Sequence, residues 1–375
     1  MGFDRKIFWN RNKYFFAVES YPLEGSAMKA AVLHAFKTPL SLEDVPRPEA
    51  GADEVLIEVE VCGVCHSDLH VADGDWTQLA GIVKQPLILG HEIVGRVVER
   101  GAAVQSVQES AQESVQVGDR VGLPWVQWTC GQCEFCREGN ENLCVRQRIT
   151  GVMVDGGYAE FAKAPASHVV KIPEALSSEQ AAPLLCAGVT VHRALKQAKV
   201  RAGQRLAVFG VGGLGHIAVQ IGRAAGAEVT AVDISEEKLA LAKSLGATRT
   251  LNAATSNVVK EVRGSGGVHV ALVTSAAKSA YDIAFYCVRP TGTLLAVGLP
   301  AKEISFPAIL MAASEIQIKA SAVGTREDLR EVLAMGAAGI VHCQVTTRPL
   351  GEVQEVLRQL SRGEVSGRVV LRLRE

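Results

Sequence analysis

The chain has 375 residues, 48% hydrophobic and 21% charged, with 39 Lys and Arg against 40 Asp and Glu. Charges that nearly cancel exclude the basic surface that recruits nucleic acid or an anionic membrane, and the high hydrophobic share excludes a disordered or collagen-like chain. No run of about 18 apolar residues is present, so no membrane-spanning helix is expected, and the length allows two or three domains.

Seven aromatic residues precede Met28 (Phe3, Phe8, Trp9, Tyr14, Phe15, Phe16 and Tyr21), although aromatics are only 5% of the chain. Residues 1–27 therefore read as an N-terminal extension. Its mixture of Arg5, Lys6, Arg11 and Lys13 with Asp4, Glu19 and Glu24 is unlike a transit peptide. From Met28 the pattern turns to short β-branched runs, at 30–33, 55–61 and 93–98, each closed by Gly or Pro. Helical periodicity is scarce before about residue 175, and this half reads as a β-barrel-like unit. Residues 105–110 are nearly repeated in 112–116, which marks a duplicated surface loop with room for a short helix.

After Ser177 strands and helices alternate. An apolar strand at 206–209 is followed by a Gly-rich turn, a helix over 216–226, a strand over 228–232 ending at Asp233, and a helix over 236–246. Strands near 270–273 and 294–297 continue the series, the rhythm of a doubly wound parallel sheet. The tail predicts helices at 326–335 and 350–362 and a strand at 368–373.

Gly210-Val-Gly212-Gly213-Leu214-Gly215 stands between predicted strand and helix, where G-x-G-x-x-G lets backbone N–H groups approach a pyrophosphate at a helix N-terminus. Asp233 falls where a carboxylate bonds the adenosine ribose and repels a 2′-phosphate, which favours NAD over NADP.

Nine cysteines are present, an odd count. With four clustered as Cys130-x2-Cys133-x2-Cys136-x7-Cys144, they point to metal ligation in a reducing, cytoplasmic compartment, not to a disulfide framework. Four thiolates suit a closed structural zinc site, with an iron–sulfur cluster or free thiols as the other readings. A second concentration of reactive side chains comprises Cys62, Cys65, His66, Ser67, Asp68 and His70, the pair His91-Glu92, and Cys186. Spacing alone does not join these segments, and Cys62-x2-Cys65 also has the form of a redox pair.

Taken together, the 65–70 motif, Gly90-His91-Glu92, the four-cysteine loop, Cys186-Ala-Gly-Val-Thr190, the glycine fingerprint and Gly367-Arg368-Val-Val370 resemble the zinc-dependent medium-chain alcohol dehydrogenases, in their bacterial and yeast-like NAD branch. The resemblance runs from Met28 to the C-terminus. It implies a GroES-like β-barrel catalytic domain (28–187, completed by 321–375) and a Rossmann coenzyme domain (188–320), with a homotetramer as the expected assembly.

The resemblance further implies a catalytic zinc on Cys65, His91 and Cys186 beside the structural zinc on the four-cysteine loop. Asp68 is expected to hold the His91 ring, and Glu92 to be the nearby acid. Ser67 is expected to bond the alcohol oxygen and pass its proton, by way of the coenzyme, to a solvent-facing His70. His66, Thr190, Leu214, Lys238, Leu299 and Arg368 join the glycines and Asp233 as coenzyme-binding positions. Trp76 and Trp125 match positions that narrow the substrate cleft, unless they are ordinary barrel packing. The expected reaction is interconversion of small primary alcohols and aldehydes. A cinnamyl-alcohol or polyol type and a non-catalytic relative are the rival readings. Asp233 opposes the NADP-using first and Cys186 the carboxylate-liganded second, while the intact relay opposes the third. Cys62, Cys287 and Cys343 are expected to be packed thiols.

Overall fold

The structure, a computed structural model, describes residues 27–77, 80–106, 114–300 and 303–374. Residues 1–26 of the extension, and residues 107–113 of the duplicated loop, lie outside the described residues. The loop opens with a tight helical turn, Ala102–Ser106. No helix among the described residues is long and apolar enough to cross a membrane.

The eleven-residue strand Glu54–Val64 organises the first half. It pairs antiparallel with Glu92–Arg100, Phe161–Pro165 and Arg368–Arg372. Two register irregularities against Glu92–Arg100, at Leu56/Ile57 and Val59/Val61, are the kind that bend a sheet toward a barrel. A smaller sheet, Ala27–Leu33 between Ser41–Pro46 and Leu87–Ile88, closes over it. Val32, Leu33, Ile57, Leu87, Leu89 and Tyr158 lie in the common core. Each strand expected from the β-branched runs is present and extends beyond its predicted limits.

The expectation that this half lacks helices is corrected at His66–Asp73, an α-helix. With only Leu69, Val71 and Ala72 apolar in eight residues, the helix is too short for a 3.6-residue repeat to stand out. Its start is held by Asp68, whose carboxylate accepts the Cys65 backbone N–H at 2.9 Å.

The second half is a six-stranded sheet, all parallel, in the order Arg249–Asn252, Glu228–Asp233, Arg205–Phe209, Val268–Val273, Val288–Ala296, Gln317–Ala320. The helices expected after the first two strands span Gly215–Ala224 and Glu236–Ser244. Helices Ala187–Gln197, Val258–Gly264, Lys278–Cys287 and Ala308–Ser314 were not anticipated. After helix Arg326–Ala337 the chain returns to the first sheet, where Val345–Pro349 pairs parallel with Arg368–Arg372.

Candidate active site and metal centres

Three separate segments converge at the junction of the two halves. Cys65 precedes helix His66–Asp73, His91 precedes strand Glu92–Arg100, and Cys186 precedes helix Ala187–Gln197. The donor atoms of Cys65, His91, Glu92 and Cys186 all lie within 4.8 Å of one another, and all four residues are buried. The two sulfurs are 4.0 Å apart. Their hydrogen bond holds the Cys65 thiol well below its ordinary value and raises that of Cys186 well above it.

The donor set fits zinc by its unmet valence. His91 Nδ1 is 3.0 Å from Asp68 Oδ1, which leaves Nε2 buried with no hydrogen-bond partner, and Glu92 Oε2 is likewise unpartnered. A buried polar atom left so is costly unless something binds it. Burial opposes charge on the His91 ring, yet the charge and hydrogen bond of Asp68 raise it well above the ordinary value. Glu92 is pushed by burial to about 7, against the opposing charge of Arg368.

Ser67 and His70 lie three residues apart on one helix, the spacing that sets two side chains on one face. Ser67 Oγ is 3.7 Å from Cys65 Sγ. His70, expected to face solvent, is largely covered, with its side chain 18% exposed. Its Nδ1 is 3.2 Å from Asp75 Oδ2, and its ring stacks on Trp76 at 5.1 Å. Trp76 meets Trp125 edge-on at 6.3 Å, and Trp125 meets the His91 ring edge-on at 4.7 Å. The two indoles form a wall over the donor cluster. Cys62 is a buried neighbour whose thiol is pushed up by burial, and Cys287 and Cys343 are buried too.

The glycine turn lies beside this cluster. A Cβ on Gly215 would come within 1.8 Å of Gly210 O, so helix and strand approach as only glycine permits. Above Gly212 there is open space, with nothing within 4 Å of a Cβ built there. Asp233 Oδ2 accepts Val211 N at 2.6 Å, while Oδ1 accepts Ile234 N and Ser235 N at 2.8 and 3.0 Å. The carboxylate thus caps the turn that would receive the coenzyme. Arg368 lies against Gly213 and donates to Glu92. Thr190 donates to Cys186 O at 2.6 Å and is buried, and Leu214 is half-buried. Lys238 stands in the first turn after Asp233. His66 and Leu299 are exposed.

The four-cysteine loop brings Cys130, Cys133, Cys136 and Cys144 together, with Sγ–Sγ separations of 4.0 Å (Cys130–Cys136) and 3.5 Å (Cys133–Cys136). Those values bracket the edge of a tetrahedron with metal–sulfur bonds of about 2.3 Å. Backbone N–H groups of Gln132 and Cys133 point at Cys130 Sγ and bring that thiol down to about 5. The loop is fastened to the second half, Glu141 receiving Arg326 at 2.6 and 2.9 Å and Asn140 receiving Arg193 at 2.9 Å. Arg193 also donates to Asp328 at 2.7 Å. Sequence reasoning missed this clamp, as well as Asp75 and Tyr158. Asn140 and Glu141 stand inside the four-cysteine motif and Asp75 immediately before Trp76, but nothing in the sequence points to their partners.

Comparison with known proteins agrees with this geometry. Residues 51–174 match the alcohol dehydrogenase GroES-like domain, and residues 213–338 the zinc-binding dehydrogenase domain. An alcohol dehydrogenase of Geobacillus stearothermophilus is 46% identical over 349 residues, covering 93% of this chain and 100% of that protein. One from Rhizobium meliloti (strain 1021) is 42% identical, covering 92% and 99%. The crystal structure of the alcohol dehydrogenase of Aeropyrum pernix superimposes with a TM-score of 0.83 at 37% identity, covering 92% of this chain and 100% of that one. The acetophenone reductase of Geotrichum candidum, solved in complex with NAD, gives 0.82 at 30% identity over 92% and 97%. With both halves matched and the metal donors assembled between them, the chain belongs to the zinc-dependent medium-chain alcohol dehydrogenases and is an alcohol oxidoreductase.

Proposed function

We propose that the chain interconverts small primary alcohols and aldehydes, with NAD as the coenzyme. The observation that carries this is the Trp76–Trp125 wall beside the Cys65–His91–Cys186 cluster, next to a glycine turn capped by Asp233. Two indoles leave little width for bulky substituents, and an anionic carboxylate at the turn opposes a 2′-phosphate.

Cys65, His91 and Cys186 would hold the catalytic metal, and Cys130, Cys133, Cys136 and Cys144 a second ion with no open position. When bound, zinc supplies Lewis acidity at the alcohol oxygen and NAD accepts the hydride. Ser67 Oγ takes the alcohol proton as it gives up its own hydroxyl proton, which His70 accepts and releases outward. With His70 Nδ1 engaged by Asp75, the proton-accepting atom is Nε2. Thr190 and Leu214 form part of the wall on the coenzyme side, with Arg368 and the 210–215 turn on the phosphate side. Lys238 would lie near the adenosine ribose, with His66 and Leu299 at the rim.

The boundaries 28–187, 188–320 and 321–375 are the division we favour, with the returning strand Arg368–Arg372 completing the catalytic part. A homotetramer is the assembly we favour, and the surface chemistry supports its first step, pairing of two copies. The sheet ends at Gln317–Ala320, which pairs only on one side among the described residues, and the helix before it exposes Ile309 and Leu310. An open strand edge beside exposed apolar side chains invites a second copy. Light scattering at the subunit and assembled masses tests the assembly. A cytoplasmic location accords with nine cysteines that form no disulfide.

Steady-state oxidation of ethanol, propanol and benzyl alcohol, with NAD and with NADP, tests the activity. Turnover of the two small alcohols with NAD is expected, and its absence in zinc-replete protein would sink the proposal.

A further inference from the structure

Tyr158 belongs to none of the motifs, yet it is a fully buried side chain next to the metal donors. Its backbone is fixed on both sides. Its carbonyl accepts Ala31 N at 2.8 Å, and its N–H donates to Leu89 O at 3.0 Å, two residues before His91. Its ring occupies space that a side chain at position 90 would invade, since a Cβ on Gly90 would come within 2.5 Å of it. Its hydroxyl donates to Asp68 Oδ2 at 2.8 Å.

Asp68 is the hub of these contacts. Oδ2 accepts both Tyr158 Oη–H and the Cys65 backbone N–H, while Oδ1 faces His91 Nδ1. The carboxylate is 1% exposed, so water does not complete its shell. Two donors on one oxygen hold the group in a single orientation and leave the other oxygen for the imidazole. Burial, reinforced by the negative Asp68, pushes the phenol well above its ordinary value, and it remains a donor.

We infer that Tyr158 is a positioning residue of the catalytic metal site, which acts through Asp68 to fix the plane of the His91 ring and so slows the loss of zinc from Cys65, His91 and Cys186. The inference rests on the assignment of those three donors. Partners one step removed from a metal ligand typically change metal affinity by about 10–100-fold.

The test measures zinc release to a chelator from the native enzyme, with metal content per chain, for wild type and Tyr158→Phe. The variant should lose one zinc per chain at least about tenfold faster, and the second zinc at an unchanged rate. In the cobalt-substituted enzyme its visible spectrum should shift, which reports a change of donor geometry. Tyr281→Phe is the control. It loses a buried hydroxyl bond, to Gly298 O, in a different core cluster, so it should lower the melting temperature and leave zinc release unchanged. In an Asp68→Asn background, Tyr158→Phe should add little, because the effect passes through Asp68. Release within about twofold of wild type, an equal effect of Tyr281→Phe, or additivity with Asp68→Asn would overturn the inference. His91→Ala separates this from failure of the donor assignment: if that variant still holds two zinc ions per chain, the assignment itself is wrong.

Discussion

Arg368 Nη2 donates to Glu92 Oε1 across 276 residues of sequence, and the two side chains are 4% and 0% exposed. The pair joins the strand that follows His91 to the returning C-terminal strand, beside the Gly213 turn. Breaking a buried pair strands the remaining charge, whereas removing both charges does not. A carboxyl already raised to about 7 can take up a proton once Arg368 is gone, whereas the guanidinium cannot shed its charge. Glu92→Gln should therefore destabilise the fold by about 3–5 kcal/mol, and Arg368→Met added to it should recover much of the loss. Denaturant unfolding of wild type, both single variants and the double variant checks this. A double variant as unstable as Glu92→Gln would contradict it.

Asp233 bears on both coenzyme choice and turn geometry, since three backbone N–H groups end on its carboxylate. Asp233→Ala should lower the ratio of kcat/KM for NAD to that for NADP by about ten- to a hundredfold, the worth of a charge-assisted hydrogen bond. Asp233→Asn keeps an acceptor without the charge and should fall between the two. An unchanged ratio in both variants would remove Asp233 from the coenzyme site.

Two histidines should make stability depend on pH. Burial lowers His216 and His168 to about 4. Each ring nitrogen Nε2 accepts a backbone N–H, from Gln344 at 3.2 Å for His216 and from Thr129 at 2.9 Å for His168, so a second ring proton would break the bond. With the unfolded value near 6.5, the unfolded chain binds protons that the folded chain excludes between about pH 6.5 and 4. Their contribution is complete above that window and falls as the pH drops through it, by up to about 3 kcal/mol for each group. His216→Asn should lose less stability than wild type between pH 7 and pH 5, as read from unfolding midpoints. Equal losses would show that His216 does not titrate in this way.

Cys136→Ala should reduce zinc to one ion per chain and lower the melting temperature, because a closed site contributes its binding energy to the fold of the 130–144 loop. Through Glu141–Arg326 and Asn140–Arg193 that loop also steadies the helices Arg326–Ala337 and Ala187–Gln197. Turnover per correctly folded active site, counted by titration, should change much less than stability. Loss of turnover with unchanged stability would reverse the roles of the two metal sites.

The parts that were legible in the sequence are those where one short segment contains the whole reason for its structure. The glycine turn with Asp233 and the four-cysteine loop are such segments, and both fold as their spacing predicts. Periodicity failed at His66–Asp73, which has a weak apolar stripe and is fixed by Asp68 reaching back to Cys65. Long-range pairs such as Tyr158–Asp68, 90 residues apart, leave no local pattern at all. The convergence of Cys65, His91 and Cys186 was legible only through family resemblance, because the register that joins Gly63 to Glu92 is a property of the folded sheet.

Trp125 tests whether the indole wall sets substrate size. Its ring lies 4.7 Å from His91 and edge-on to Trp76, which in turn stacks on His70. A pocket discriminates by about 10–200-fold for one methylene of misfit, so a shortened wall should admit what the indole excluded. Trp125→Leu keeps an apolar side chain and limits the packing loss. Its kcat/KM for benzyl alcohol, relative to ethanol, should rise at least about tenfold over wild type. The ratio is independent of the fraction of enzyme that folds, so it separates this role from packing alone. If Trp125 only fills the barrel, the melting temperature falls and the ratio stays where it was.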